Sequence, residues 1–303
     1  MPQRTLGRMA FAISGLALSA VLVAGCAGTS DAPASESAAG ANAENEFFQA
    51  LPAAVQEAGS VSVGTEAYYP PYEYIDTDGS TIVGLDIDLL DAVTERLGID
   101  YRLENVAFDT LLPSLDAERY DVVVAGITDT VERQANYDFV DYFAADQAII
   151  VAAGNEAGIS SMADLCGLTV SVLVDSTQQS LLEEQNAAAC ASDPIDILTQ
   201  QSDTEALMQV QSGRAAALLT QEAVGMYNAS QIGGGTAFEV ANEGSIEPMP
   251  LGYVFAKGND ELRDAFQKAL QSLIDDGTAT KIFEKYGVAS IAVKEATRNA
   301  AVD

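Results

Sequence analysis

Histidine is absent from the 303-residue chain, and basic residues are scarce. Without histidine the chain lacks the commonest general base, the usual partner of a nucleophilic serine and the commonest transition-metal ligand. Triad hydrolysis and zinc chemistry are therefore poor interpretations, and we expect neither a metal site nor a cofactor. Only 14 Lys and Arg stand against 45 Asp and Glu, which gives a formal net charge of −31. Such a surface repels phosphate backbones and anionic lipid headgroups, so nucleic acid is not an expected partner.

Residues 1–25 have the organisation of a secretory signal peptide. Arg4 and Arg8 precede an apolar run over residues 9–23, and residues 23–26 form the small-residue junction Val-Ala-Gly-Cys. A basic start, a short apolar middle and a small-residue cleavage site define such a signal. The run is shorter than the roughly 20 residues of a lasting membrane-spanning helix. We therefore expect export and removal of this segment.

Cysteine is rare, since only Cys166 and Cys190 occur after Cys26. In an oxidising compartment an isolated pair is more often a bridge than a reactive site. The bridge would stabilise the fold by roughly 3 to 4 kcal/mol on the chain-entropy estimate. Two buried free thiols are the alternative, and a thiol titration of the unfolded, unreduced protein would distinguish them.

The composition changes after the signal. Residues 27–45 are rich in Ala, Ser, Gly, Asn and acids, and they contain no aromatic residue. Such a segment cannot bury enough apolar surface to order itself. We therefore predict a disordered tether and a short lead-in over residues 26–59, with the ordered chain beginning at Ser60.

From there, apolar runs alternate with amphipathic stretches, which predicts an α/β fold. The runs are too apolar to be exposed on either face, so we expect central, mostly parallel strands. The ordered chain also exceeds the roughly 100 to 200 residues of one domain, which favours two lobes with a ligand crevice between them. Strands are predicted at 61–64, 121–125, 148–152, 168–173, 215–219 and 251–256, and helices at 86–97, 178–189, 204–212, 260–275 and 279–286.

One predicted strand runs directly into a cluster of residues suited to an anion. The strand at 121–125 is followed by Gly126, Thr128 and Arg133. Open α/β sheets bind ligands beyond the carboxyl ends of their strands. Backbone N–H groups, a hydroxyl and the paired donors of an arginine could surround a carboxylate there. The alternative for Arg133 is an ion pair with a neighbouring acid on the helix surface.

Six stretches, taken together in order and spacing, carry a family resemblance. They are Gly-Thr-Glu-Ala-Tyr-Tyr-Pro-Pro-Tyr at 64–72, Gly-Leu-Asp-Ile-Asp-Leu at 84–89, Phe-Asp-Thr-Leu-Leu-Pro-Ser-Leu at 108–115, the strand and loop at 121–133, Asp-Ser-Thr-Gln at 175–178, and Gly-Arg-Ala-Ala-Ala-Leu-Leu at 213–219. None is specific alone, but they span nearly all of the ordered chain. Residues 61–288 thus resemble the polar amino-acid type (family 3) of solute-binding proteins that serve ABC importers.

The resemblance implies a two-lobe, periplasmic-binding-protein-like fold of type II. Each lobe would be a mainly parallel sheet flanked by helices, and two hinge strands would join the lobes. Lobe 1 would comprise residues 60–146 plus 251–290, lobe 2 residues 147–250, and residues 291–303 a C-terminal tail. Closure around the ligand would be the working motion.

The junction before Cys26 also resembles the bacterial lipobox, which implies an amino-terminal cysteine carrying several acyl chains, palmitate included. One acyl chain alone binds a membrane weakly. The protein would then be extracytoplasmic, held at the outer face of the cytoplasmic membrane or in the periplasm. The alternative is an ordinary signal peptide with an incidental cysteine.

The resemblance further implies which residues bind the ligand. The ligand carboxylate would be held by Arg133, Thr128, the backbone at Ala125 and Gly126, and, from the second lobe, Ser176 and Thr177. Tyr69 and Phe108 would pack against the aliphatic or planar part of the ligand. Glu66 would help to select its side chain, and a carboxylate there favours a cationic or hydrogen-donating group.

The chain departs from the family pattern at Gln221. Family members have an aspartate there for the α-ammonium of the ligand, and an amide cannot neutralise a buried cation. Either Glu66 takes over that pairing, or the ligand lacks an ordinary primary ammonium, or Glu222 reaches the site instead. Opine-like secondary amines and ectoine-type compatible solutes lack that group, whereas glutamine, arginine and their kin are the default family ligands.

These observations predict a monomeric, lipid-anchored binding protein that is not an enzyme. It would capture a polar or cationic amino acid, or a derivative, and deliver it to an ABC permease in the membrane. The competing interpretation is a dehydratase-like enzyme on the same scaffold, and the absence of histidine argues against it.

Overall fold

The computed structural model describes residues 44–301. The predicted signal, Cys26 and nearly all of the predicted tether lie outside the described residues. Within residues 44–301, no helix combines the length and the apolar character needed to cross a membrane.

Helices and strands alternate along the described chain. Its α-helices are α1 (Ala53–Ala58), α2 (Leu85–Leu97), α3 (Phe108–Asp116), α4 (Val131–Gln134), α5 (Thr177–Ala187), α6 (Asp203–Gln211), α7 (Glu222–Gln231), α8 (Asp260–Asp275) and α9 (Thr278–Lys285). Its strands are β1 (Ser60–Thr65), β2 (Tyr68–Tyr69), β3 (Glu73–Ile75), β4 (Ile82–Val83), β5 (Asp100–Asn105), β6 (Val122–Val123), β7 (Tyr137–Ala145), β8 (Gln147–Ala152), β9 (Thr169–Leu173), β10 (Asp196–Gln200), β11 (Ala217–Gln221), β12 (Phe238–Val240), β13 (Met249–Ala256) and β14 (Ala292–Arg298).

Two sheets form the centres of the two lobes. The first has the strand order β14-β7-β13-β6-β1-β5, and the second has the order β10-β9-β11-β8-β12. In the first sheet β1 runs parallel to β5 and β6, whereas β13 and β14 pair antiparallel to β7. In the second sheet β9 runs parallel to β10 and β11, whereas β8 pairs antiparallel to β11 and β12.

Both sheets are therefore mixed, and the expectation of mainly parallel sheets is wrong in this detail. An apolar run indicates that a strand is buried on both faces, but it carries no information on strand direction. The predicted strands at 148–152 and 251–256 are buried as expected, yet β8 and β13 pair antiparallel to their neighbours.

The first lobe is held together by an apolar helix face packed on its sheet. Leu262, Phe266, Leu270 and Leu273 lie on one face of α8 at spacings of three and four residues, and all are buried. The Phe266 ring meets the ring of Tyr253 on β13 edge-on, with centroids 5.7 Å apart. Burying a side chain of this size contributes about 1.5 to 3 kcal/mol. This face therefore fixes α8 against the strands that lead to the second lobe.

The chain crosses between the two sheets beside Asp146. β7 in the first sheet is followed directly by β8 in the second, and β13 returns to the first. The Asp146 carboxylate accepts the backbone N–H groups of Gln147, Ile246 and Glu247 at 2.7, 3.0 and 2.8 Å. One side chain thus ties the outgoing crossing to the returning one.

Most of the predicted C-terminal tail, 291–303, is described, and its residues Ala292–Arg298 form strand β14 instead of a tail. β14 pairs antiparallel with β7, and Ala296 is buried. The Ala296 carbonyl accepts the Gln267 side chain, and its N–H donates to the Gln271 side chain of α8. A sheet edge that is left open carries unpaired N–H and C=O groups, so β14 completes the first sheet.

The predicted bridge between Cys166 and Cys190 is present in the structure. It joins the turn before β9 to the turn after α5. Cys190 packs in the apolar cluster of the second lobe, with Leu165, Val170 and Leu182.

Candidate functional site

The predicted ligand-binding residues converge at the carboxyl ends of parallel strands. β1 and β6 are parallel neighbours in the first sheet, as are β9 and β11 in the second. The adjoining residues are Glu66 after β1, Gly126 after β6, Ser176 after β9 and Gln221 at the end of β11. Crevices outside the carboxyl ends of strands are where open α/β sheets bind ligands. Residues far apart in sequence are thus brought to the region where the two sheets approach each other, as the hydrogen bond from Gln221 to Gly126 shows.

Arg133 on α4 reaches from the first lobe to the second. The Thr130 side chain caps α4 by accepting the Arg133 N–H at 3.1 Å. Its Nη1 atom donates to the carbonyl oxygen of Thr128, which is buried, at 2.9 Å and to the Thr177 hydroxyl at 3.2 Å. Its Nη2 atom donates to the carbonyl oxygen of Asp175 at 3.2 Å. The guanidinium therefore bridges the lobes through neutral acceptors.

No described residue forms a salt bridge with Arg133. Burial lowers the pKa of Arg133 to about 10, against the opposing effect of Glu132 and Asp129, so the guanidinium is charged at neutral pH. The Asp129 carboxylate accepts instead from the Gln134 side chain at 2.8 Å and from the Ala301 N–H at 3.0 Å. The alternative of an ion pair with a neighbouring acid is thus not what the structure shows.

The amino terminus of α5 faces Arg133 across the cleft. The Ser176 hydroxyl accepts the Gln179 N–H at 3.2 Å and donates to the Leu173 carbonyl at 2.7 Å, so it is already used by the chain. A helix amino terminus favours a negative charge nearby. Arg133, Ser176 and Thr177 line a cavity of about 860 Å³ at this point. Both the helix and the arginine suit an anion there.

The backbone N–H and the carbonyl of Gly126 both already form hydrogen bonds. Its N–H donates to the Asp86 carboxylate at 3.0 Å, and its carbonyl accepts the Gln221 side chain at 2.9 Å. The N–H predicted to bind a ligand carboxylate is therefore engaged by a buried acid that the sequence analysis did not select. Asp86 also accepts the Tyr142 hydroxyl at 2.6 Å, and burial raises its pKa. Ala125, just before, is buried.

Tyr69 connects the lobes at the other end of the cleft. Its hydroxyl lies 3.4 Å from the Thr220 hydroxyl and accepts the Gln221 N–H at 3.3 Å. The Gln221 Oε1 atom is buried and has no hydrogen-bond partner among the described residues. Phe108, predicted to face the ligand, begins α3 and packs half-buried against the first-lobe cluster around Leu111.

Two acids from opposite lobes lie near Tyr69. Glu66 is 2 % exposed, and burial, followed by the charge of Asp203, raises its pKa to about 8. Asp203, also 2 % exposed, begins α6 in the second lobe, and burial raises its pKa to about 7. The sequence analysis missed Asp203. An acid in the first turn of a helix is usually explained by the helix dipole. The sequence around Asp203 therefore does not reveal that its side chain is buried.

The cleft thus has two electrostatically different ends. Arg133 and the α5 amino terminus form a positive end, and Glu66 with Asp203 forms an acidic end. Among the described residues, no group of His, Cys, Asp or Glu side chains could hold a metal ion. Such a cleft is complementary to a small molecule that carries both a carboxylate and a positively charged group.

Comparisons with known proteins identify the family and the fold. Residues 61–289 match the profile of the bacterial extracellular solute-binding proteins, family 3. The chain is 29 % identical to the L-cystine-binding protein TcyA of Bacillus subtilis, over 77 % of this chain and 83 % of that protein. It is 29 % identical to the arginine-binding protein ArgT of Corynebacterium glutamicum, over 84 % of this chain and 83 % of that protein.

A solved structure is also similar. It is an ancestral arginine-binding protein bound to arginine, with a TM-score of 0.70 and 35 % identity, covering 75 % of this chain and 98 % of that chain. The family resemblance and the two-lobe α/β fold inferred from the sequence are thereby confirmed.

Proposed function

The chain belongs to family 3 of the bacterial extracellular solute-binding proteins, and we propose that it captures a polar or cationic amino acid between its lobes for an ABC permease. The relatives named above are binding proteins for cystine and arginine. The protein acts as a monomer and performs no chemistry. Its ligand is released to the permease when the lobes open.

One observation carries this proposal. Arg133 stands half-buried between the lobes and charged, and its hydrogen-bond acceptors among the described residues are the neutral groups of Thr128, Asp175 and Thr177. A partly buried charge that lacks an ion-pair partner is costly, and a carboxylate that arrives in the cleft lowers that cost. An arginine fork matches the two oxygens of a carboxylate. The ligand carboxylate therefore binds at this end of the cleft.

The contacts between the lobes explain how capture works. Arg133 to Thr177, Tyr69 to Thr220 and Gln221 to Gly126 all link one lobe to the other. A ligand shifts the equilibrium between open and closed forms only by binding the closed form better. A molecule that contacts residues of both lobes has this property, since the open form offers it only one set of contacts.

Cys26 supplies the attachment to the membrane in this proposal. The residue lies outside the described part of the chain, and its lipobox-like setting at 23–26 is the support for acylation. Metabolic labelling with a palmitate analogue tests it. Incorporation into the wild type but not into Cys26→Ala is the expected result, and equal labelling of both would contradict the anchor.

Substituting Arg133 tests the function itself. We expect Arg133→Ala to weaken binding of L-arginine 10- to 100-fold, because a charge-assisted hydrogen bond contributes about 1.5 to 3 kcal/mol. Isothermal titration calorimetry measures the change. Arg119→Ala is the matched control, since Arg119 is exposed and its nearest acid, Glu104, is 3.8 Å away.

The panel of ligands should include L-glutamine, L-cystine, an opine and ectoine. Binding that is the same in Arg133→Ala and in the wild type would contradict the proposed site. Turnover of prephenate or arogenate by the wild type would favour the dehydratase-like alternative instead.

A further inference from the structure

Glu66 and Asp203, which we call the acid pair, approach each other from opposite lobes. We propose that the acid pair together receives one cationic group of the ligand, with Asp203 contributing an acid from the second lobe, where position 221 is the neutral Gln221. The cation that fits is a delocalised one of the guanidinium class. This inference rests on the proposed function, and it adds a specificity-determining residue and a substrate class.

The Glu66 carboxylate is buried and incompletely hydrogen-bonded. Its side chain is 2 % exposed, and its Oε1 atom has no hydrogen-bond partner among the described residues. No described basic residue forms a salt bridge with it. A buried carboxylate in this condition is costly unless a donor arrives. Glu66 is therefore prepared for a donor that the chain does not contribute.

Asp203 belongs to the other lobe. It is the first residue of α6, after the helix cap Ser202, whose hydroxyl accepts the Glu205 N–H. Its side chain is held by the Thr220 hydroxyl and by a long contact of 3.4 Å from the Asn228 amide. These neutral partners fix the direction of the carboxylate but do not balance its charge.

The two acids stand on segments that touch each other. The Thr204 hydroxyl, next to Asp203, donates to the Tyr68 carbonyl, two residues after Glu66, at 3.3 Å. Asp203 accordingly raises the pKa of Glu66, and it also acts on Tyr69, whose hydroxyl contacts Thr220. The chain of contacts Tyr69, Thr220 and Asp203 therefore runs across the cleft beside Glu66. Glu73 is buried too, and burial, followed by the charges of Asp86 and Glu66, raises its pKa well above the usual range. Closing the lobes without a cation thus brings together acids that are costly to ionise.

Gln221 does not lower this cost. Its Nε2 atom is used by the Gly126 carbonyl, and its Oε1 atom is an additional acceptor that has no hydrogen-bond partner among the described residues. A neutral amide supplies no compensating positive charge. Once Glu66 and Asp203 are ionised, this end of the cleft holds two carboxylates and one amide oxygen, all acceptors, and it requires a ligand group that only donates.

A guanidinium meets this requirement better than a primary ammonium. It is planar, carries five N–H donors in a fixed arrangement and stays charged. Its different edges can donate to Glu66 and Asp203 at the same time, and the Tyr69 ring nearby favours a cation by its quadrupole. We therefore expect selection for the guanidinium of L-arginine over the neutral, isosteric ureido group of L-citrulline.

The test compares these two probes by calorimetry in the full mature protein. The wild type should bind L-arginine at least 30-fold more tightly than L-citrulline. Asp203→Asn should weaken L-arginine binding at least 10-fold and change L-citrulline binding less than 3-fold. Glu205→Gln removes one charge from an exposed position on the same helix, and it should leave both affinities within 2-fold.

A double-mutant cycle tests whether one cation meets both acids. Because Glu66→Gln and Asp203→Asn remove partners of the same group, the double variant should lose less affinity than the two single losses multiplied. Fully multiplicative losses would overturn the shared site. If Asp203→Asn fails to fold, the ratio of the wild-type affinities for L-arginine and L-citrulline still tests the inference, because equal affinities would overturn it.

The outcomes separate this inference from the proposed function. Arg133→Ala should weaken both probes, because both carry the carboxylate, whereas Asp203→Asn should weaken only L-arginine. If the wild type binds both probes equally well, the acid pair does not select the cation, but the proposed function is unaffected. If the wild type binds no amino acid of the panel, both the acid-pair inference and the proposed function are wrong.

Discussion

Gly126 allows the loop after β6 to pass close to two tyrosine rings. Its φ of +53° lies in the left-handed region, and a Cβ atom there would lie 3.1 Å from the Tyr72 ring and 3.3 Å from the Tyr69 ring. We expect Gly126→Ala to destabilise the protein by about 1 to 2 kcal/mol through the backbone alone. It should also weaken L-arginine binding at least 10-fold, because the displaced loop carries the carbonyl that meets Gln221. Urea unfolding and calorimetry measure the two effects.

Gly79→Ala is the matched control for that variant. Gly79 has a φ of +77°, and nothing lies within 4 Å of the position that its Cβ would take. The backbone cost should therefore be similar while ligand affinity stays unchanged. If both variants weakened binding equally, the effect of Gly126 would be one of general stability and not of the cleft.

The candidate site was only partly predictable from single residues. Arg133 and Glu66 stand in stretches whose order and spacing resemble a family, so the sequence alone selects them. Asp203 stands outside those stretches, and Asp86 stands inside one of them but without a sign of its role, since an acid near the start of a helix is usually explained by the helix dipole. Their side-chain partners are distant in sequence, namely Asn228 for Asp203 and Tyr142 for Asp86.

At the level of elements, β14 is the strand that the sequence pattern does not predict. Helices such as α8 are predicted because their apolar spacing is local information. β14 buries only Ala296 among its residues, so its own pattern is weak. Its position is decided by the open edge of β7, far away in sequence. Strand direction also depends on distant partners, so the sequence predicts the parallel pairs of β1 and β9 but not the antiparallel pairing of β8 and β13.

Removing β14 tests its contribution to the first lobe. Beyond the strand, the Ala300 N–H donates to Asp141, the Ala301 N–H donates to Asp129, and the Asn299 side chain bonds both Asp138 and the Phe139 N–H. Each hydrogen bond contributes about 0.5 to 1.5 kcal/mol. We expect deletion of residues 292–303 to lower the free energy of unfolding by about 2 to 5 kcal/mol, as measured in urea.

Lys294→Ala provides the comparison within the same strand. Lys294 is exposed, and removing one exposed charge should change the free energy of unfolding by less than about 0.5 kcal/mol. A truncated protein as stable as the wild type would show that β14 is dispensable for the first lobe.

At the scale of the whole molecule, buried acids make the ligand-free protein sensitive to pH. Burial raises the pKa of Glu66 from 4.5 to about 8, and the pKa values of Asp203 and Asp141 from 3.8 to about 7. An acid with a raised pKa binds more protons in the folded state than in the unfolded state, so stability falls as pH rises through this window. The charges that face these groups, Glu73 and Asp129, have the same sign.

We therefore expect the melting temperature of the ligand-free protein to fall by at least about 4 °C between pH 5.5 and pH 8.5, which corresponds to ~1 kcal/mol or more for a protein of this size. Saturating L-arginine should reduce that fall, because its cation offsets the two charges in the cleft. Glu66→Gln with Asp203→Asn should reduce it without ligand. A melting temperature that rises over this range would contradict the buried, raised acids.

The tie at Asp146 has a consequence for the path between open and closed shapes. Because one carboxylate holds backbone groups of both crossings, the two connecting segments cannot bend independently. We expect the lobes to swing about a single shared axis, without shearing or twisting apart. We then expect the two halves of the cleft to meet in the same register each time that the lobes close.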